Sequence, residues 1–131
     1  MDTHYQTVKD YLLDLNFEIM QENDEEGVIW VESEDAGIKN LVIGIADPIL
    51  IMEQHICKIA NPSEEVYKKL LIKNRDIIHG AFVLDDSGNN LLFRDTLQVE
   101  NLDLNELEGS LNSLSLLLSE YSEELIKMSK Q

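Results

Sequence analysis

The last quarter of the chain carries its most regular hydrophobic pattern. Apolar side chains recur there at alternating intervals of three and four positions, at Leu104, Leu107, Leu111, Leu114, Leu118, Tyr121, Leu125 and Met128. This spacing places them on one side of an α-helix. It predicts one buried helix from Leu104 to Met128, about 37 Å long at 1.5 Å per residue. Three further apolar residues lie outside the row, so the apolar face could serve both a sheet and a second subunit: Leu116, Leu117 and Ile126.

Two local signals bear on the start of this helix. Asp103, with Glu106 three positions later, forms an Asp-x-x-Glu variant of the capping box. Gly109 and Ser110 lie inside the helix, where glycine costs about 1 kcal/mol relative to alanine, so we expect the helix either to bend or effectively to start there.

The first third of the chain reads as a helix followed by a hairpin. Helical spacing of Tyr5, Val8, Leu12 and Leu15 predicts a short amphipathic helix. Loose alternation over Phe17–Gln21 and the apolar run Val28–Glu32 flank the turn-rich segment Asn23–Gly27. These features predict two antiparallel strands.

The middle of the chain predicts a second pair of strands. The nearly continuous apolar run Leu41–Ile45 is typical of a central strand that is covered on both faces. Pro48 cannot donate a ladder hydrogen bond, so we expect a corner at Asp47-Pro48 before Ile49–Ile56 forms the next strand.

A helix and a final hairpin are predicted next. Ser63, followed by two glutamates, favours a helix start, and the helix is expected to end near Asp76, with Asn74 and Arg75 as a cap and a surface cation. Ala81–Leu84 and Leu91–Arg94 flank a turn-rich segment at residues 85–90, which is read as a hairpin turn rather than a calcium loop. The predicted fold is therefore α+β in one domain over residues 1–131. It has an antiparallel sheet of five or six strands and three helices, in the order α-β(3-4)-α-β-β-α.

The charge balance excludes several classes of partner. The chain has 26 acidic and 10 basic residues, for a formal net charge of −16. Nucleic acids and anionic membranes are therefore poor partners, because affinity for phosphate depends largely on Lys and Arg. No basic segment precedes an apolar core at the amino terminus, and no apolar run approaches the roughly 18 residues of a membrane span. We expect a cytoplasmic protein, and the single Cys57 agrees with a reducing compartment.

Few residues could support chemistry. His4, His55, His79 and Cys57 are the available soft ligands and nucleophile partners, and they lack the paired spacing of a zinc site. The many carboxylates show no arrangement beyond that of a solvated acidic surface. The sequence therefore predicts no catalytic residue, no metal site and no cofactor.

The single tryptophan is the best candidate for a contact with a partner. Trp30 lies on a predicted strand between Ile29 and Val31. Core packing is the ordinary role of such a residue, whereas aromatic anchors are enriched at binding hot spots. These three residues are the predicted partner-binding site.

Several short segments resemble one family of proteins. They are Asn40-Leu41-Val42-Ile43, Leu70-Leu71-x-x-Asn74, and His79-Gly80-Ala81-Phe82-Val83-Leu84-Asp85 followed by Gly88-Asn89 and Leu92-Phe93. Together with the order of elements, they make the chain similar to the YbjN-type family of bacterial proteins, which is related in fold to the type III secretion chaperones.

The resemblance implies an α+β fold, frequent dimerisation and no catalytic activity. Secretion chaperones of this fold are small acidic cytosolic dimers that hold an extended segment of a secreted protein. The leading hypothesis is thus a non-enzymatic homodimer that binds a protein partner. The alternatives are a small-ligand or regulatory sensor domain and, third, an enzyme.

Overall fold

Six strands form one antiparallel sheet in the computed structural model, which describes residues 3–130. The strands are β1 (Glu18–Asn23), β2 (Val28–Ser33), β3 (Ile38–Ala46), β4 (Ile49–Lys58), β5 (Ala81–Leu84) and β6 (Asn90–Gln98). The helices are α1 (Thr3–Asp14), α2 (Glu64–Asn74), α3 (Leu104–Glu120) and α4 (Ser122–Lys130). The predicted α+β class with a sheet of five or six antiparallel strands is confirmed.

The strand order across the sheet is β1-β2-β3-β4-β6-β5. Successive hairpins place the first four strands side by side, with Asp47-Pro48 in the turn between β3 and β4. After α2 the chain returns as β5 at the far edge, and β6 fills the place between β5 and β4. The two edges of the sheet are therefore β1 and β5.

The core lies between one face of the sheet and the helices. Alternate strand residues such as Ile29, Leu41 and Met52 are fully buried and share a cluster with buried side chains of all four helices. Their sequence neighbours point to the opposite face, which no helix of the described chain covers. The prediction that Leu41–Ile45 is covered on both faces is therefore wrong. Its apolar run includes Val42 and Gly44, which lie on the open face of an antiparallel sheet.

The predicted single helix at the end of the chain is wrong, because the chain forms two helices. It leaves helical geometry at Tyr121, with φ −102° and ψ 13°, and restarts at Ser122. The Tyr121 ring packs against Phe82 at 5.9 Å between centroids, and the Lys73 ammonium lies 4.8 Å from the ring centre. These contacts hold the Tyr121 side chain against α2 and β5 at the residue where the helix breaks. The alternative that the helix starts at Gly109 is wrong, because α3 begins at Leu104 and continues through Gly109.

Both predicted helix starts are confirmed. Ser63 Oγ accepts a hydrogen bond from the Val66 amide at 3.2 Å, and Asp103 Oδ1 accepts one from the Glu106 amide at 2.8 Å. Each cap satisfies an amide that has no partner within its helix.

Candidate protein-binding surfaces

The helix-free side of the sheet presents an apolar area with a charged border. Trp30 pairs with Val42 across β2 and β3, and Gly44 pairs with Ile51 across β3 and β4. Trp30, Val42 and Ile51 are partly buried although no helix packs on them. We call this surface the open sheet face; it comprises Val28, Trp30, Val42, Ile51, Glu53 and Arg94.

An ion pair marks the polar border of the open sheet face. Arg94 Nη1 lies 3.1 Å from Glu53 Oε2, and the two side chains are 44% and 39% exposed. Such an exposed pair contributes little to stability. The pair joins β4 to β6 across this face, beside the apolar area on β2–β4.

The structure separates the three residues predicted to bind a partner. Ile29 and Val31 are 0% exposed and face the helices. Their side chains therefore belong to the core and are not available to a partner of the folded protein. Trp30 lies on the open sheet face, at an interior strand whose backbone is paired on both sides.

The two edges of the sheet differ in whether their backbone groups are free to pair with a further strand. At the β5 edge, Asn74 Nδ2 donates to the Phe82 carbonyl at 3.1 Å, and Asn74 Oδ1 accepts from the Phe82 amide at 2.7 Å. The side chain thus replaces a neighbouring strand at this position. The prediction of Asn74 as a helix cap is wrong, because Arg75 is the C-cap residue and Asn74 pairs with β5.

The β1 edge has no strand beyond it in the described part of the chain. It belongs to the most acidic segment of the protein, residues 18–35, which contain no Lys or Arg and eight acidic residues: Glu18, Glu22, Asp24, Glu25, Glu26, Glu32, Glu34 and Asp35. A register shift between Ile19 and Gln21 interrupts the strand. Such irregularities and charges discourage indiscriminate pairing at an edge.

Helix α2 presents a second apolar surface. Leu71 is 71% exposed and Ile72 is 50% exposed. These residues lie in a shallow depression with Glu64 near one end of the helix and Arg75 at the other. We call this row the α2 stripe; it comprises Glu64, Tyr67, Lys68, Leu71, Ile72 and Arg75.

Three titratable groups among the described residues have a pKa that differs from its ordinary value. Burial raises the pKa of the Cys57 thiol, which lowers the fraction of reactive thiolate at neutral pH. Hydrogen bonds from Ser87 and Asn90 lower the pKa of Asp85 to about 2 and stabilise the turn between β5 and β6. Burial, with Glu22 second, raises the pKa of Tyr5 to about 12.

The described residues contain neither a cluster of metal ligands nor a helix suited to cross a membrane. No group of three or more His, Cys, Asp or Glu side chains within residues 3–130 is arranged to hold a metal ion. None of the helices in this part of the chain has both the length and the hydropathy to cross a bilayer.

Comparison with solved structures identifies the fold. YbjN from E. coli superposes with a TM-score of 0.70 at 15% identity, with 92% of each chain covered. A chain of the HopA1–SchA chaperone–effector complex gives a TM-score of 0.66 at 11% identity, covering 94% of this chain and 98% of that one. A chain from the complex of the Yersinia pestis type III secretion chaperone SycH with a fragment of YscM2 gives 0.59 at 18% identity, covering 97% and 100%.

Comparison at the level of sequence identifies the family. No curated protein matches the chain. The model of the CesT_Tir_1 family matches residues 1–131, which is the entire sequence. The resemblance to YbjN and to the secretion chaperones is thereby confirmed. The chain belongs to the CesT_Tir_1 family of type III secretion chaperones.

Proposed function

We propose that this protein is a non-enzymatic module, spanning residues 1–131, that holds an extended segment of a partner protein in the bacterial cytoplasm. The open sheet face carries the proposal. Trp30, Val42 and Ile51 lie close together there on adjacent strands, and each is only partly buried. Apolar areas on the surface of a soluble protein often mark sites of interaction with another protein.

The family and the fold support a protein as the ligand. Members of the family are secretion chaperones, and two of the similar structures are complexes of a chaperone with another protein. An extended segment lying across the sheet would place alternate side chains against the apolar area. Trp30 would then be its central anchor, since buried tryptophans dominate many interfaces.

The single tryptophan permits a direct test of this surface. A partner is first captured from the native cytosol with the tagged protein, and the segment that binds is prepared in pure form. Titration of the segment should then change the fluorescence of Trp30, the only Trp in the chain. Calorimetric titration, which needs no tryptophan, should show that Trp30→Ala weakens binding by about tenfold or more, which corresponds to about 1.4 kcal/mol.

A matched control uses an exposed apolar residue on the opposite layer. Leu13 is 49% exposed on α1, and Leu13→Ala should leave the affinity within about twofold. Equal affinity for both variants and the original protein would contradict the proposal. Capture of no protein, with a small metabolite co-purifying and raising the melting temperature, would instead favour the sensor hypothesis.

We also propose that the protein forms a homodimer through the α2 stripe. Two α2 helices packed antiparallel about a twofold axis would bring Glu64 of one subunit to Arg75 of the other. In the same register, Ile72 would meet the partner's Tyr67. Leu71 would then contact the aliphatic part of the partner's Lys68. The stripe is thus complementary to itself in both charge and apolar surface.

The mass in solution tests the dimer. Light scattering at micromolar concentration and moderate salt should give roughly twice the 15.0 kDa chain mass. Ile72→Glu should give a monomer, whereas Ile126→Glu, at a residue that is 53% exposed on α4, should leave the dimer intact. A monomeric original protein at high concentration and moderate salt would rule the dimer out.

A further inference from the structure

A groove of about 270 Å³ lies in the helix layer, on the other side of the sheet from the open sheet face. One wall is the segment between α2 and β5, residues 76–79. The other wall is the outer side of α3 from Gly109 to Glu120, and Tyr121 closes one end. We call this feature the α3 groove.

The α3 groove combines a buried floor with exposed apolar rims. Leu117 is only 3% exposed, and Ile77 and Tyr121 are partly buried. On the rims, Ile78 is 86% exposed and Leu116 is 63% exposed. A partner that covered these side chains would remove their apolar surface from water, which is favourable.

The walls of the α3 groove are held in place without any ligand. Ser113 Oγ donates a hydrogen bond to the His79 carbonyl at 2.8 Å, which ties the two walls together. Gly80 has φ +81°, and a Cβ at this position would lie 2.4 Å from the Phe93 ring. Only glycine allows the chain to turn so close to the core there. A groove fixed in this way loses little conformational entropy when it binds.

The charges around the α3 groove define what could enter it. Asp76 and Glu120 both line it, and no Lys or Arg does. Arg75 Nε lies 3.9 Å from Asp76, at the limit of an ion pair, with both side chains largely exposed. Glu120 has no ion-pair partner among residues 3–130. An occupant with a cationic group beside its apolar part would therefore be favoured over a neutral or anionic one.

The openness of the groove favours a peptide side chain over a metabolite. Sites for small molecules usually bury most of the ligand's surface, whereas this groove is open to solvent. It offers room for one or two aliphatic side chains, with flanking cations outside near the two carboxylates.

We propose that the α3 groove is a second docking site, which takes a partner segment carrying aliphatic residues flanked by Lys or Arg. It is separate from the open sheet face and goes beyond the function proposed above. A protein with both surfaces could hold one partner on two sides or two partners at once.

Binding of short synthetic peptides tests this site alone. The probe is the blocked peptide Lys-Lys-Leu-Leu-Lys-Lys, titrated into isotope-labelled protein at about 0.15 M salt, where long-range attraction to the acidic surface is largely screened. We expect saturable amide shifts confined to residues 76–80 and 109–121. The peptides Lys-Lys-Ala-Ala-Lys-Lys and Glu-Glu-Leu-Leu-Glu-Glu should bind at least about tenfold more weakly, since each lacks one of the two required groups.

Matched variants separate groove binding from non-specific attraction. Leu116→Asn, which removes an apolar rim without adding charge, should weaken binding of the Leu-Lys peptide by about tenfold, whereas Ile126→Asn, the same kind of change at an exposed residue of α4, should leave its affinity within about twofold. Glu120→Lys should weaken binding of the Leu-Lys peptide and strengthen binding of the Leu-Glu peptide. Trp30→Ala should change neither affinity, which keeps this outcome independent of the open sheet face.

Three results would overturn the proposal. They are equal binding of the alanine peptide, equal effects of the two asparagine variants, and the absence of shifts in the groove at millimolar peptide. Because Leu116 is largely exposed, Leu116→Asn should fold, and the dispersion of its amide spectrum checks this.

Discussion

Tyr5 joins α1 to the first strand of the sheet. It is 4% exposed, and its hydroxyl donates to Glu22 Oε2 at 3.2 Å. Burial, and then the neighbouring carboxylate, oppose the tyrosinate form and raise the pKa to about 12. The folded protein therefore holds this proton more tightly than the unfolded chain does.

This difference predicts a loss of stability in strong alkali. A folded pKa of about 12 against an ordinary value of 10.0 means that the contribution is complete below pH 10 and is lost as the pH rises towards 12. Urea unfolding across this pH range should show that the free energy of unfolding falls as the pH rises. The fall should be smaller in Tyr5→Phe. Tyr11→Phe is the control, because it also removes one hydroxyl, which donates to the Leu102 carbonyl. The fall in the free energy of unfolding should remain in this variant. An unchanged pH profile in Tyr5→Phe would contradict this assignment.

At the scale of elements, the junction of α2 and β5 depends on one side chain. Asn74 makes both backbone hydrogen bonds of Phe82 that a neighbouring strand would otherwise make. The Lys73–Glu124 ion pair adds a second link, from α2 to α4. The helix therefore both anchors and blocks the edge of the sheet.

Replacing Asn74 should weaken this edge. Asn74→Ala leaves the Phe82 amide and carbonyl without their partner, at an expected cost of about 1–3 kcal/mol in the free energy of unfolding. It should also raise the tendency to aggregate, because a strand edge becomes available. Asn112→Ala, at an exposed asparagine of α3, is the control and should cost less than about 0.5 kcal/mol. Equal costs in urea unfolding would show that the pairing contributes little.

The apolar face of α3 makes the second prediction at this scale. Leu114 is 0% exposed, whereas Leu116, two positions later, is 63% exposed. Leu114→Ala should cost about 2–5 kcal/mol because it leaves a cavity in the core. Leu116→Ala should change the free energy of unfolding by less than about 0.5 kcal/mol. A cost below that limit for Leu114→Ala would mean that the helix packs less closely than the structure indicates.

At the scale of the whole molecule, the net charge of −16 opposes one of the two proposed assemblies and favours the other. Two copies of the chain repel each other, whereas a basic partner is attracted. Residues 18–35 carry a large share of this charge beside the open sheet face and the free β1 edge.

Added salt should therefore separate the two kinds of association. Screening should lower the dissociation constant of the homodimer, and it should slow the association of a basic partner segment. Sedimentation and stopped-flow fluorescence of Trp30 over a range of salt concentrations measure the two effects. A homodimer that salt weakens, or a partner association rate that salt does not reduce, would show that net charge does not govern that association.

The sequence by itself determined most of the elements and their order. Helix caps at Ser63 and Asp103, the apolar row on α3 and the turn at residues 85–90 depend on neighbours within a few positions, so their patterns predict them directly. The fold class and the family also follow from this level. The expected single domain, cytoplasmic location, dimer and partner-binding role of Trp30 stay predictions.

Only the tertiary structure decided which surfaces are free. Alternation along β2 separates Trp30 from Ile29 and Val31 but does not say which face the helices cover. The break at Tyr121 lies where its side chain contacts Phe82 and Lys73, which are distant in sequence, and the pairing of Asn74 with β5 also depends on the fold. The α3 groove arises in the same way, from a loop and a helix that meet only in the folded chain. Local patterns report the period of an element, whereas these features depend on contacts between elements that no local pattern contains.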